Sequence, residues 1–99
     1  MKKINSKQRS VLRSIAHHLN PVIIIGKNGI TDSVIDAIDK VIEKNELIKI
    51  KFQEYKKEKK NISDQLVEKL DCHLIGIIGH NVIFFRRNIN NEKSKYKSI

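Results

Sequence analysis

The stretch IIIGKNGIT, residues 23–31, contains the transition that decides the fold. Its three isoleucines extend a continuous apolar run, which is typical of a strand covered on both faces. Two glycines then enclose a lysine and an asparagine, and Thr31 is a good N-cap for a following helix. We therefore predict a strand over residues 22–25, a loop over residues 26–29 and a helix that begins after Thr31.

An amphipathic helix is predicted before this stretch, over residues 5–19. Its apolar residues recur at three- and four-residue spacing and form one stripe. Asn5 and Gln8 have the spacing of a capping box, and Pro21 ends the helix because the residue before a proline avoids helical geometry. A second, basic stripe is expected on this helix, formed by Arg9, Arg13 and His17.

The helix after Thr31 has one apolar side and one acidic side. Asn45 is expected to end it in a left-handed conformation. Its acidic residues are Asp32, Asp36, Asp39 and Glu43. Because this side repels phosphate, only the start of the helix is expected to meet a nucleic acid.

The second half of the chain contains the remaining predicted elements. Residues 46–52 alternate as a half-exposed strand does, with Lys49 and Lys51 in a basic outer row. The glycine- and asparagine-bearing residues 79–81 suit a hairpin. The other segments are a helix over about 56–70, strands over 74–78 and 82–86, and a basic tail over 88–99 that is expected to be disordered.

The order of these elements, α-β-α-β-α-β-β, predicts the architecture. Strands separated by helices favour parallel pairing through right-handed crossovers, and the final hairpin adds an antiparallel strand. We predict an α/β (α+β) fold with two layers, in which helices pack against one small four-stranded mixed sheet. The 99 residues suit a single domain, which we place at residues 1–87.

The charge of the chain indicates the kind of partner. Twenty Lys and Arg against eleven Asp and Glu give a net charge of +9, and the first thirty residues contain no acidic residue. Such segregated charge attracts polyanions, and nucleic acid is a stronger candidate than an anionic membrane. The alternative is that the charge only keeps a small domain soluble. The single cysteine, Cys72, and the lack of a signal peptide or an apolar run of membrane-spanning length favour the cytoplasm.

The loop GKNG is the candidate anion site. The first amides of a helix have no intrahelical partner, and glycines let a phosphate backbone approach closely. The candidate residues here are Gly26, Lys27, Asn28, Gly29 and Thr31. An ordinary tight turn is the alternative. A Walker A loop and a dinucleotide fingerprint do not match, and no spacing of cysteine and histidine matches a zinc site. We therefore expect no enzyme, no cofactor and no metal.

Three pieces together carry a resemblance to a known family: INSKQRSVLRSIAHHLNPVIIIGKNGIT, ELIKIKF and IIGHNVIFFRR. They cover residues 4–87, and the chain resembles the YhbY-type CRM domain in its single-domain bacterial form. The resemblance implies a fold like the C-terminal domain of bacterial translation initiation factor three, with an added N-terminal helix. It also implies binding of RNA, rather than catalysis, on precursors of the large ribosomal subunit.

The resemblance also extends the set of candidate RNA-binding residues. The GxxG loop of the family falls on residues 26–29. Its basic first helix and its terminal strand arginine fall on Lys7, Arg9, Arg13 and Arg86. Two positions depart from the usual pattern: Phe85 replaces a tyrosine, and residues 71–73 lack the common glycine. Neither departure touches the loop.

Two functions of different classes follow. The first is an RNA-binding module, with large-subunit rRNA or its precursor particle as the partner. The second is an adaptor that docks on an acidic ribosomal or translation protein, with its RNA affinity incidental. Neither uses a small-molecule substrate or a membrane. The sequence leaves open which RNA element is bound, what the bound protein does and whether it is oligomeric.

Overall fold

The computed structural model describes residues 3–88, 94–96 and 99 of the chain. Its elements follow the predicted order. They are α1 (Ser6–Ala16), β1 (Ile23–Ile25), α2 (Asp32–Asn45), β2 (Leu47–Phe52), α3 (Lys59–Leu70), β3 (His73–Ile78) and β4 (Asn81–Phe85). The predicted class, element order and mixed sheet are confirmed. The last helix begins at Lys59, three residues later than predicted, and no side chain caps its start.

The four strands form one sheet in the order β1-β2-β4-β3. The β1 and β2 strands pair in parallel, because α2 connects them by a crossover. The β4 strand lies antiparallel to both β2 and β3. This arrangement places the start of α2, the end of β2 and the β3–β4 hairpin at the same end of the sheet.

Helices cover both faces of this sheet. The α2 and α3 helices pack on one face, where Ile38, Ile42 and Leu66 meet strand residues such as Ile50 and Phe84. The α1 helix packs on the other face through a smaller cluster of buried residues, formed by Leu12, Ala16, Leu47, Ile75, Ile83 and Phe85. The predicted two layers therefore describe α2, α3 and the sheet, and α1 adds a layer on the opposite face.

The start of α1 has the predicted capping box. The Asn5 side chain accepts a hydrogen bond from the Gln8 amide at 2.8 Å, and the Gln8 side chain accepts one from the Asn5 amide at 2.9 Å. The end of α2 differs from the prediction, because Asn45 remains helical and Glu46 takes the positive φ of +66°.

Two predicted exposures are wrong. The β1 strand is not covered on both faces, since it lies at the sheet edge with Ile24 57% exposed. Lys49 is not part of an exposed row, because it is buried beneath α1. Its Nζ donates to the Leu19 carbonyl at 2.8 Å, which satisfies a backbone oxygen in the turn after the helix.

The tail predicted as disordered is packed where the structure describes it. Glu46 accepts hydrogen bonds from the Asn88 amide, the Ser94 hydroxyl and the Lys95 amide at 2.7, 2.8 and 2.6 Å. The Tyr96 ring lies edge-on to Phe85 at 5.7 Å between centroids. These described residues of the tail therefore contact the domain, and its other residues, 89–93 and 97–98, lie outside the described residues, so disorder of the tail stays a prediction.

Candidate nucleic-acid interface

The GKNG loop is a closed four-residue turn at the end of β1. The Gly29 amide donates to the Gly26 carbonyl at 3.0 Å, and Gly29 has a φ of +66°, which favours glycine. Lys27 and Asn28 form the exposed tip. The turn thus has a defined shape, with its two polar side chains directed to solvent.

The two glycines have different surroundings. A Cβ added at Gly29 would lie 3.2 Å from the Tyr55 ring, whereas one added at Gly26 would meet no atom within 4 Å. Gly29 is therefore required by the protein's own conformation and packing. Gly26 leaves open space next to the turn, which a ligand backbone can occupy.

Tyr55 supports the turn from the segment after β2. Its hydroxyl donates to the Lys27 carbonyl at 2.7 Å. The amides of Gln53 and Glu54 also donate, at 3.0 and 3.1 Å, to the carbonyl of Ile25 just before the turn. Sequence reasoning missed Tyr55. The only available signal was a single aromatic residue within a polar run.

Thr31 begins α2 directly after the turn. Its Oγ1 accepts a hydrogen bond from the Val34 amide at 3.2 Å, as the sequence predicted for an N-cap. The positive end of the helix dipole therefore lies beside the turn. Together with the Lys27 charge, it favours an anion at this position.

The arginines of α1 contact the edge strand β3. Arg9 donates to the carbonyls of Leu74 and Ile75, and Arg13 donates to the Ile75 carbonyl at 3.5 Å. The strand has a register shift between Leu74 and Gly76, and the lack of a side chain at Gly76 leaves room for Arg13. These guanidinium groups therefore cover an otherwise unpaired strand edge, while Arg13 stays exposed to solvent.

Arg86 lies at the other end of the sheet. Its amide donates to the Glu46 carbonyl before β2, whereas the turn follows the end of β2, roughly 20 Å away at the usual rise per strand residue. The guanidinium pairs with Asp39 at 2.9 Å and Glu43 at 3.1 Å, and donates to the Leu70 carbonyl. The structure therefore does not bring Arg86 together with the loop, and two carboxylates offset its charge.

Sequence reasoning placed Lys51 in a basic row but did not connect it with Lys56 and Lys59, and all three act on the β3–β4 hairpin. Loss of solvent and the charges of Lys56, Lys59 and Lys51 lower the pKa of His80 in that hairpin. The His80 carbonyl accepts a hydrogen bond from the Phe52 amide at 2.8 Å, which fixes the hairpin beside the end of β2. Positive charge from separate segments therefore converges at the loop end of the sheet.

The side chains with catalytic or metal-binding potential are dispersed. Burial raises the pKa of the Cys72 thiol to about 12, so this thiol is protonated at neutral pH. His73 and His80 lie at opposite ends of the β3 strand. Within residues 3–88, 94–96 and 99, no three His, Cys, Asp or Glu side chains come close enough to hold a metal.

None of the described helices has both the length and the hydropathy that a membrane span requires.

Comparison with known proteins gives a consistent result. The family model of the CRS1/YhbY (CRM) domain matches residues 4–86. The chain is 32% identical to the probable RNA-binding protein YqeI of Bacillus subtilis, over 91% of this chain and 95% of that protein. It is 34% identical to an RNA-binding protein of Haemophilus influenzae, over 87% of this chain and 88% of the relative.

A solved structure has the same fold. The solution structure of the hypothetical protein SAV1595 from Staphylococcus aureus superimposes with a TM-score of 0.78. The two chains are 33% identical, and the match covers 94% of this chain and 98% of the other.

Proposed function

Because the chain belongs to the CRS1/YhbY (CRM) domain family, we propose that it binds RNA and that the GKNG loop holds the RNA backbone. Two relatives that match most of its length are named as RNA-binding proteins, which supports RNA as the partner. The observation that carries the role of the loop is its geometry. An exposed Lys-Asn tip and an open Gly26 lie beside the N-terminus of α2.

The loop supplies three kinds of interaction to one phosphate. Lys27 contributes a full positive charge, and the helix dipole contributes a partial one. Asn28 and the first amides of α2 donate hydrogen bonds, and the missing side chain at Gly26 allows close approach. Such contacts position an RNA without reading its sequence, so selectivity comes from RNA shape.

The first helix extends this surface. Lys7 and Arg13 are exposed, and Arg9 is half-buried against β3, where it also orders the strand edge. We therefore assign Lys7 and Arg13 to flanking phosphate contacts and give Arg9 a mainly structural part. Arg86 is left out of the proposed interface because its charge is compensated by Asp39 and Glu43.

The setting that we propose is the assembly of the large ribosomal subunit in the cytoplasm, with rRNA or its precursor particle as the target. The family resemblance carries this part of the proposal. The proposed role is binding rather than catalysis, in keeping with a Cys72 thiol that is buried and protonated at neutral pH.

In-cell ultraviolet crosslinking with sequencing of the bound RNA tests the proposal. The wild type is compared with a Lys27→Ala/Asn28→Ala variant. The control is Lys40→Ala/Lys44→Ala, which removes one more positive charge from exposed positions of α2. We expect reads at a few large-subunit rRNA positions in the wild type and the control, and their loss in the loop variant.

Diffuse reads that are equal in all three proteins would contradict the role of the loop. The adaptor alternative predicts a different result, because its association with ribosomal particles would survive complete digestion of the RNA. In vitro, log affinity should fall linearly with log salt, and Lys27→Ala should lower the slope by about 0.7–0.9.

A further inference from the structure

One row of side chains crosses all four strands on the sheet face that carries α1. The strand register places Ile24 beside Lys51, Lys51 beside Asn81, and Asn81 beside Ile78. The residues adjacent to the two isoleucines in sequence, Ile23, Ile25 and Ile77, pack into the core beneath α2 and α3. Because side chains alternate along a strand, Ile24 and Ile78 lie on the opposite face.

This row is not covered by the α1 helix. Ile24 is 57% exposed, Ile78 is 39% exposed and Lys51 is also exposed. Two large apolar side chains are therefore partly exposed, with a lysine and an asparagine between them. The GKNG loop begins two residues after Ile24, so the row starts beside the proposed phosphate site.

Asn81 has unused hydrogen-bonding capacity. Its Oδ1 is buried and has no hydrogen-bond partner among the described residues. A buried acceptor without a partner costs free energy. Rotation of the amide toward the open face would allow a ligand donor to satisfy this oxygen.

The row continues into a groove at the β3 edge. This groove lies between α1 and the end of β3, and its lining residues are Ser10, Arg13, Ser14, His17, His18 and Ile78. Exposed Arg13 therefore marks one end of the open surface, and the GKNG loop marks the other. Three inter-strand spacings separate the outer members of the row, about 14 Å in total.

From this juxtaposition we infer that the row formed by Ile24, Lys51, Asn81 and Ile78 binds the bases of an unpaired RNA segment. This inference rests on the proposed function, in which the loop holds the backbone of the same RNA. A paired duplex presents mainly phosphates and sugars, whereas exposed apolar side chains fit the faces of unstacked bases. Lys51 in the row, together with Lys56 and Lys59 around His80 of the adjacent hairpin, favours a polyanion.

The experiment measures binding of two RNA probes by fluorescence anisotropy. One probe is a blunt RNA duplex, and the other is the same duplex with a single-stranded extension. The test variants are Ile24→Ser and Ile78→Ser. The matched control is Val11→Ser, because Val11 is 39% exposed and lies on α1 outside the row. Thermal melting confirms that each variant is folded.

We expect the wild type and Val11→Ser to bind the extended probe more tightly than the blunt one. Ile24→Ser should weaken binding to the extended probe on the order of tenfold. Its affinity for the blunt duplex and its salt slope should not change. Lys51→Gln should lower the salt slope on the extended probe by about 0.7, the value for single strands.

The two proposals fail in different ways. If both serine variants bind the two probes like the wild type, the row does not bind bases and the inference is overturned. This holds even if Lys27→Ala/Asn28→Ala binds RNA more weakly. If Lys27→Ala/Asn28→Ala binds both probes like the wild type, the proposed function fails instead. A wild type that does not distinguish the probes also refutes the inference.

Discussion

Alanine at Gly29 should destabilise the protein, whereas alanine at Gly26 should not. Gly29 has a φ of +66°, a region that costs a residue with a Cβ about 1–2 kcal/mol. The new Cβ would also lie 3.2 Å from the Tyr55 ring, which must shift. For a domain of this size, each kcal/mol corresponds to a fall in melting temperature of about 4–8 °C. Circular dichroism during thermal and urea unfolding measures the change.

Gly79 provides the matched control for the conformational cost of placing a Cβ at a positive φ. Its φ is +61°, and a Cβ there would meet no atom within 4 Å. Gly79→Ala should therefore show the conformational cost alone, and Gly29→Ala should exceed it by the cost of moving Tyr55. If Gly29→Ala is as stable as the wild type, the proposed requirement for glycine in this turn is wrong.

Gly26→Ala separates folding from binding. Because the added Cβ meets open space, the free energy of unfolding should change by less than about 0.5 kcal/mol. In the proposed complex the same methyl group lies where a phosphate approaches, so RNA affinity should fall while stability is kept. Unchanged RNA affinity in a folded Gly26→Ala variant would argue against close approach of the backbone at this glycine.

Three further substitutions test other contacts. Tyr55→Phe removes the hydrogen bond to the Lys27 carbonyl but keeps the ring, so it should cost about 0.5–1.5 kcal/mol and weaken RNA binding, as measured by melting and anisotropy. Arg86→Met should cost about 1–3 kcal/mol of stability and leave RNA affinity unchanged; a selective loss of affinity would return Arg86 to the interface. Glu46→Gln weakens a buried acceptor of three hydrogen bonds and should cost about 1–3 kcal/mol in urea unfolding at neutral pH. Burial tends to raise the pKa of Glu46, but those hydrogen bonds and Arg87 hold it below the ordinary 4.5. This stabilisation is present above pH 4.5 and is lost as the pH falls through the lower folded-state pKa, so Glu46→Gln should remove that part of the acid sensitivity.

Local patterns in the sequence were sufficient for the element order and for the turn. The Asn5 capping box and the Thr31 N-cap depend on residues three positions apart, and both are confirmed. The GKNG turn is equally local, since its closing hydrogen bond joins residues 26 and 29. Short-range chemistry of this kind is visible in the chain without knowledge of the fold.

Contacts between distant segments were not predictable in the same way. The apolar run at β1 suggested a covered strand, but its position at the sheet edge leaves Ile24 exposed. Lys49 fits an exposed position in the alternating pattern of β2. In the structure α1 packs over it, and its ammonium group donates a hydrogen bond to the Leu19 carbonyl. Tyr55 and Lys27 are 28 residues apart, so their hydrogen bond leaves no periodic signal.

The contacts of Glu46 were even less predictable from the sequence. A charged residue between a helix and a strand is ordinarily expected at the surface, but Glu46 is 1% exposed and has a positive φ. The buried carboxylate is stabilised by hydrogen bonds from Asn88, Ser94 and Lys95, which lie more than forty positions later in the chain. A tail that looks featureless by composition thus completes the hydrogen bonding of a buried carboxylate.

If the chain binds RNA as proposed, the redistribution of charge on folding determines from which side an RNA should approach. Local sequence places the positive charge on α1 and at Arg86, but Arg86 is neutralised by α2 and Arg9 is tied to the β3 carbonyls. Folding instead gathers Lys51, Lys56 and Lys59, which no motif connects, at the end of the sheet that carries the GKNG loop. The acidic side of α2 lies on the opposite face of the sheet from α1. A polyanion is therefore attracted to the loop end and to the open face beside α1, and it is repelled from the acidic side of α2.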